Sequence, residues 1–161
     1  MLAAQRRSGR VVAIGYQMSF TESTQRLKAD ILAGVWGRPL VLKCLAHLPR
    51  SRAYYTRNAW AGRVKDEQGR WVLDSPANNA AAHSLHHMLY LLGDAPTRSA
   101  IPERVQAGLY RAHDIENYDT AFLDCTVAGG AKVFFAVSHA CALDDFAESE
   151  FVFANGTVAH L

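Results

Sequence analysis

Three of the chain's seven histidines, His83, His86 and His87, fall within a single turn and a half of any helix that contains them. They lie in residues 74–93, DSPANNAAAHSLHHMLYLLG, which open on Asp-Ser-Pro, carry Asn78 and Asn79, and close on an apolar run and Gly93. At about 100° per residue, Leu85, Met88, Leu89 and Leu92, with Ala82 at the edge, fall on one side. Asn79, His83, His86, His87 and Tyr90 fall on the other, within roughly a third of the circumference. A merely solvated face is usually built from Lys and Glu. Imidazoles suit a site that moves a proton or holds a metal near neutral pH. His83 and His87, four residues apart, have the spacing of a helical metal pair, but no Cys or acidic ligand stands close in sequence. The bland alternatives are a cap or surface role for His83, and solvated or interface roles for His86 and His87.

A second group of residues has the chemistry of carbohydrate recognition. Residues 49–58 are rich in Arg and Tyr, and Trp60 follows. Aromatic faces such as Tyr54, Tyr55 and Trp60 stack on sugar C–H surfaces, while Arg57 and Asn58 can bond hydroxyls. Packing beneath a long loop explains the same residues equally well. Tyr16 and Gln17, at the end of an expected first strand, are further candidates to face the site.

The elements that must hold these groups read as follows. Residues 2–8 end a helix at Gly9. Residues 11–16, VVAIGY, predict a buried strand. Ser19-Phe20-Thr21-Glu22 fits a capping box for a helix running to about Val35, with Leu27, Ile31, Leu32 and Val35 as its buried stripe. Gly34 and Gly37 stop it, and Pro39 prevents its resumption. Residues 40–48 predict a strand, and Trp60 and Trp71 bracket a hairpin-like excursion tipped by Asp66-Glu67-Gln68-Gly69. After the histidine helix, residues 104–114, 120–128, 131–139 and 150–153 are strand-like. Gly129-Gly130 marks a two-residue hairpin turn, and Asn155-Gly156 another turn. Strands in succession after helices predict an α+β domain. Its sheet is largely antiparallel, with helices packed on one face and the other face available for subunit contact.

Composition bounds the function. The 161 residues suffice for one domain with a real core, and half apolar with a fifth charged is ordinary for a globular protein. A net charge of +2 makes no electrostatic case for nucleic acid or acidic membranes. Apolar runs such as residues 133–137 are too short to span a bilayer, and no signal peptide precedes them. Cys44, Cys125 and Cys141, odd in number and without a C-x-x-C, read as reduced core residues of a cytoplasmic protein.

Taken in order, the chain runs from GYQMSF, through a capped helix ending AGVWGRP, a strand and a Tyr/Trp-rich segment, to NNAAAHSLHHMLYLLG and a sheet opening with ENYDTA. From about residue 8 onward it resembles the C-terminal domain of the glucose–fructose oxidoreductase / inositol dehydrogenase (Gfo/Idh/MocA) family. The resemblance implies NAD(P)-dependent oxidation or reduction of a hydroxyl on a sugar, a cyclitol or a related polyol. It also implies an N-terminal Rossmann domain, and a C-terminal sheet that packs against another subunit. The family's catalytic lysine comes from Glu-Lys-Pro, assisted by an Asp-x-x-x-His pair at the start of the histidine helix. Asn79 stands where the family has that aspartate, His83 where it has the histidine, and His86 where a second aspartate is frequent. An amide orients a hydroxyl or an imidazole but cannot stabilise imidazolium as a carboxylate would. His83 is therefore either the base or a group that positions substrate.

The chain contains no G-x-G-x-x-G, and none of Lys28, Lys43, Lys65 and Lys132 sits in Glu-Lys-Pro. The resemblance thus predicts that residues 1–161 are a single substrate-binding and oligomerisation domain. The Rossmann domain would lie upstream, and the chain would stop at Leu161 before the family's last sheet elements. NAD or NADP is implied, with its binding domain not in this chain, and the isolated chain is expected to be inactive. The expected partners are a small polyol and further copies of the chain through the open sheet face. Two rival readings remain, a non-catalytic ligand-binding or assembly module of the same fold and a His-rich metal-binding protein.

Overall fold

A computed structural model describes residues 1–142 and 145–156, and the backbone of 158–160. Leu161, where the resemblance predicts an early stop, lies outside the described residues. The element order is α1 (Leu2–Ser8), a 3-10 turn (Gln17–Phe20), α2 (Glu22–Leu32), β1 (Pro39–His47), α3 (Arg52–Thr56) and α4 (Ala82–Leu91). Then follow β2 (Pro102–Tyr110), β3 (Thr120–Val127), β4 (Lys132–Ser138), β5 (Phe146–Phe153) and β6 (Val158–His160). The strands form one sheet in the order β2-β3-β4-β1-β5-β6. All pairings are antiparallel except β1 with β4, so the sheet is mixed, as an α+β domain allows. The long excursion from β1 to β4 is what makes that one parallel pairing possible.

One face of the sheet carries Leu42, Cys44, Ala121, Cys125, Val133, Phe135, Val137, Phe151 and Phe153, all buried against Met88 and Leu91 of α4 and Leu27 of α2. None of the described helices covers the other face. There Leu45, Phe122 and Phe134 stand in adjacent strands around Ala136, each more than two-fifths exposed. The face predicted to be open is therefore open and apolar. Two of the three cysteines are buried; Cys141 is only half-buried, and all are free thiols.

Several local expectations are overturned. Residues 11–16 do not form a buried strand: they pair with no described strand, and Val11 and Ile14 are 92% and 63% exposed. A β-branched run becomes a strand only beside a partner, and none of the described strands flanks it. The capping box is not formed. Thr21 is the N-cap of α2, accepting from the Thr24 N–H at 3.3 Å, while Glu22 pairs with Arg26 and Ser19 turns toward α4. α2 ends at Leu32, and its stripe is narrower than predicted, with Leu32 and Val35 exposed and Lys28 buried instead. The β3–β4 connection is a three-residue 3-10 turn, Ala128–Gly130, with both glycines at φ +80. β5 begins at Phe146, earlier than the apolar run alone suggested.

Helix α4 itself differs in two ways from its helical wheel. It starts at Ala82, so Asn79 sits in the preceding turn. It is also buried on two sides, against the sheet and against α2. His87 and Tyr90, expected on the polar face, are therefore inside, while Leu85, Leu89 and Leu92 are half-buried.

Candidate functional site

Residues 76–81 make a series of turns that deliver the chain into α4, and Asp74 anchors them. Its carboxylate accepts from the Asn79 side-chain amide and from the Gly62 N–H, both at 2.8 Å. Asn117 donates to the Asp74 carbonyl at 2.9 Å, and Ser75 to the Tyr118 hydroxyl at 2.9 Å. Leu73, at φ 54, is held in a conformation rare for a non-glycine residue, and the Asn78 amide donates to its carbonyl at 3.1 Å. The entry to α4 is thus fixed from both sides. No hydrogen bond joins Asn79 to His83; the amide is spent on Asp74.

Around the first turn of α4, Tyr16 stacks on His86 at 4.3 Å between ring centroids and meets His83 edge-on at 5.6 Å. Ser19 Oγ lies 3.1 Å from His86 Nδ1 and Ser99 Oγ 3.5 Å from its Nε2. Burial, and then the charge of His83, hold the His86 pKa below the ordinary value. The Nδ1 of His83 is buried without a hydrogen-bond partner among the described residues. A buried polar atom left unpaired costs on the order of 1–3 kcal/mol.

His87 takes no part in this cluster. Its Nε2 lies 3.0 Å from Thr24 Oγ1 of α2, its ring meets Phe151 edge-on, and burial lowers its pKa to about 4. The His83–His87 metal pair expected from spacing is therefore not assembled: the two imidazoles serve different sides of the helix. Among the described residues no three His, Cys, Asp or Glu side chains converge as a metal site.

The remaining candidates separate. Gln17 is exposed in the 3-10 turn. Asn58 spends its carbonyl on the Trp60 and Ala61 N–H groups at 3.1 and 2.8 Å, so it braces a turn and keeps only its amide donor free. Trp60 is 42% exposed, beneath the Arg57 guanidinium that also covers Tyr54. Tyr55 turns the other way, into a cleft of about 870 Å³ walled by Arg52, Thr56, residues 61–63 and residues 111–116. Its hydroxyl lies 3.0 Å from Nδ1 of buried His139, and burial followed by the charge of Asp119 pushes its pKa up. In the same wall His113 Nδ1 lies 2.8 Å from the fully buried Asp119 carboxylate.

Asp74, His113, Asp119 and His139 were not singled out from sequence. Asp119 lies within ENYDTA, yet the H-x5-D spacing is no recognisable motif; the pair forms only because β2 and β3 meet at Tyr110 and Thr120. The sequence has no G-x-G-x-x-G, and among the described residues the Thr24 N–H at the start of α2 is already capped by Thr21.

Comparison with solved structures gives the fold. The chain matches the WlbA dehydrogenase from Chromobactrium violaceum, solved in complex with NADH and UDP-GlcNAcA, with a TM-score of 0.74 and 20% identity over 94% of this chain. The WlbA dehydrogenase from Bordetella pertussis matches at 0.74 and 21%, over 93% of this chain. The myo-inositol dehydrogenase from Lactobacillus casei, in complex with NAD(H) and myo-inositol, matches at 0.62 and 16%, over 94%. The chain has a dehydrogenase-domain fold. It covers only 41%, 42% and 39% of these three proteins, so it corresponds to part of each. No family model and no curated protein matches the chain. Among the described residues no helix is long and apolar enough to cross a membrane.

Proposed function

We propose that this chain is the substrate-binding and subunit-contact domain of an NAD(P)-dependent oxidoreductase acting on a hydroxyl of a sugar, a cyclitol or a similar polyol. The observation that carries the reading is the match over more than nine-tenths of the chain to dehydrogenases solved with NADH or NAD(H). The cofactor would be held by a dinucleotide-binding domain outside this polypeptide, which also supplies the nicotinamide that exchanges hydride with the carbinol carbon. This chain's part is to place the hydroxyl. The imidazole of His83 would accept from it, with Tyr16 and His86 fixing the ring. Asn79 would act by bracing the helix entry through Asp74. Tyr55, Asn58, Trp60 and Gln17 are weaker substrate contacts, and the open apolar face is where further copies of the chain would pack.

Two titrations of the purified chain test this. Fluorescence titration with NADH and NADPH is expected to show no tight binding; tight binding overturns the assignment of the cofactor to another domain. Calorimetric titration with myo-inositol and UDP-N-acetylglucosamine is expected to show binding of one of them that is lost in His83→Phe. Equal binding by that variant removes His83 from the site.

A further inference from the structure

The cleft beside Tyr55 carries a hydrogen-bonding arrangement of which the preceding reading uses only Tyr55, as a weaker contact. Asp119 is wholly buried at the start of β3. Its carboxylate accepts from the Ala112 N–H at 2.9 Å, from the His113 N–H at 2.7 Å and from the Thr120 hydroxyl at 3.3 Å. Burial alone would push this carboxyl up, but the hydrogen bonds from His113 and Ala112 outweigh it and hold the pKa below the ordinary value. An ionised carboxylate 2.8 Å from His113 Nδ1 requires that nitrogen to carry a proton. The other ring nitrogen, Nε2, has no hydrogen-bond partner among the described residues, and His113 lines the cleft. In the neutral ring it is a bare acceptor.

Tyr55 stands next to it, with ring centroids 5.0 Å apart. Its phenol has two possible relations to His139. If Tyr55 donates to His139 Nδ1, the proton of that imidazole moves to Nε2, which is buried and unpaired. That arrangement leaves a buried N–H donor without a partner. In the other tautomer Nδ1–H donates to the phenol oxygen, and only a bare Nε2 remains unpaired. The phenol O–H is then free to donate into the cleft that Tyr55 lines. Of the other charged groups in the lining, Arg52 and Asp114 have no side-chain hydrogen bond among the described residues. Arg63 is paired with Glu116 at 2.9 Å, and Arg111 donates to the Ile115 and Glu116 carbonyls.

An acceptor and a donor are thus presented side by side in a cleft of about 870 Å³, within the range of small-molecule sites. A hydroxyl donates and accepts at once, so it satisfies both; an amine cation or a carboxylate satisfies one. The structure assigns this cleft as a binding site for a hydroxylated small molecule of the sugar or polyol class, held by a hydroxyl that donates to His113 Nε2 and accepts from the Tyr55 O–H. Asp119 is a positioning residue that fixes the His113 tautomer. The inference shares only its ligand class with the role given to His83.

The test is an NMR titration of the whole chain with myo-inositol, D-glucose and D-glucuronate as probes, reading the histidine ring signals. The expected result is a saturable shift of His113 with at least one probe, absent in His113→Phe and at least tenfold weaker in Tyr55→Phe. Both variants should keep the wild-type fold by circular dichroism. Without ligand, the His113 nitrogens should report a protonated Nδ1, a signature that mere packing would not require. No saturable shift at His113 with any probe, or an unchanged shift in a folded His113→Phe, overturns the assignment. Shifts at His83 and Tyr16 alone also overturn it while leaving the role of His83 standing.

Discussion

Two histidines are kept neutral by their surroundings, and this gives the protein a pH dependence. Burial lowers His87 to about 4, and lowers His139 to about 4, with Arg50 adding to the effect. Above the ordinary histidine value of about 6.5 both rings are neutral whether the chain is folded or not. Between about 6.5 and 4 the unfolded chain takes up protons that the native state refuses, so stability falls as pH falls through that window. Urea denaturation should show a clear loss between pH 7 and pH 5, and His87→Phe should reduce the slope. A wild-type curve flat over that range would contradict the neutral assignment. His83 is the contrasting residue: it is only half-buried, and its Nδ1 has no hydrogen-bond partner among the described residues.

Helix α4 packs its apolar side on the sheet and is tied to α2 by polar contacts. Thr24 meets His87 at 3.0 Å, and Gln25 donates to the Tyr90 hydroxyl at 2.8 Å. The buried Lys28 ammonium donates to the carbonyls of Tyr90, Leu91 and Gly93, where the last turn leaves acceptors unpaired. Burial lowers the Lys28 pKa to about 8, with Asp94 opposing the shift. Lys28→Met removes these donors and is expected to cost about 1–3 kcal/mol in urea denaturation at pH 7. Gly93→Ala is expected to be worse, because its Cβ would come within 1.9 Å of the Arg98 carbonyl oxygen, a backbone atom with little room to yield. Thermal melts would order the two variants; a Gly93→Ala protein as stable as wild type would show that the 93–98 turn can open freely.

At the scale of the whole molecule, the unexplained surface is the sheet face bearing Leu45, Phe122 and Phe134. A contiguous exposed patch of large apolar side chains marks an interaction surface more often than a solvated one. The Lys43–Glu150 and Lys132–Asp124 pairs, at 2.6 and 2.9 Å, flank it on the same face, as charges do at the rim of an interface. Light scattering of the purified chain should report an oligomer, and Phe134→Glu should shift it to monomer with little change in melting temperature. A monomeric wild type at micromolar concentration would remove the face from the proposed assembly. The exposed residues 11–15 tell the same lesson from the other side: their apolar content predicted burial, but no described strand pairs with them and only Tyr16 beyond them reaches α4.

What the sequence determined by itself was set by local chemistry and period. Alternation in 131–139 and the glycine pair at 129–130 specify a hairpin. The 3.6-residue repeat in 82–91 specifies a helix, and its order among the strands specifies the α+β class. The histidine cluster and Tyr16 were visible as residue types for the same reason. What only the tertiary structure decided was which polar group faces which neighbour. One helical wheel assigned His83, His86 and His87 to one face; packing α4 against both the sheet and α2 buried His87 and left His83 unpaired. The Asp74 anchor joins Gly62 to Asn79, and the His113–Asp119 pair needs two strands in register. Such contacts carry no periodic signal, because they follow from where separate segments meet in space and not from their neighbours along the chain.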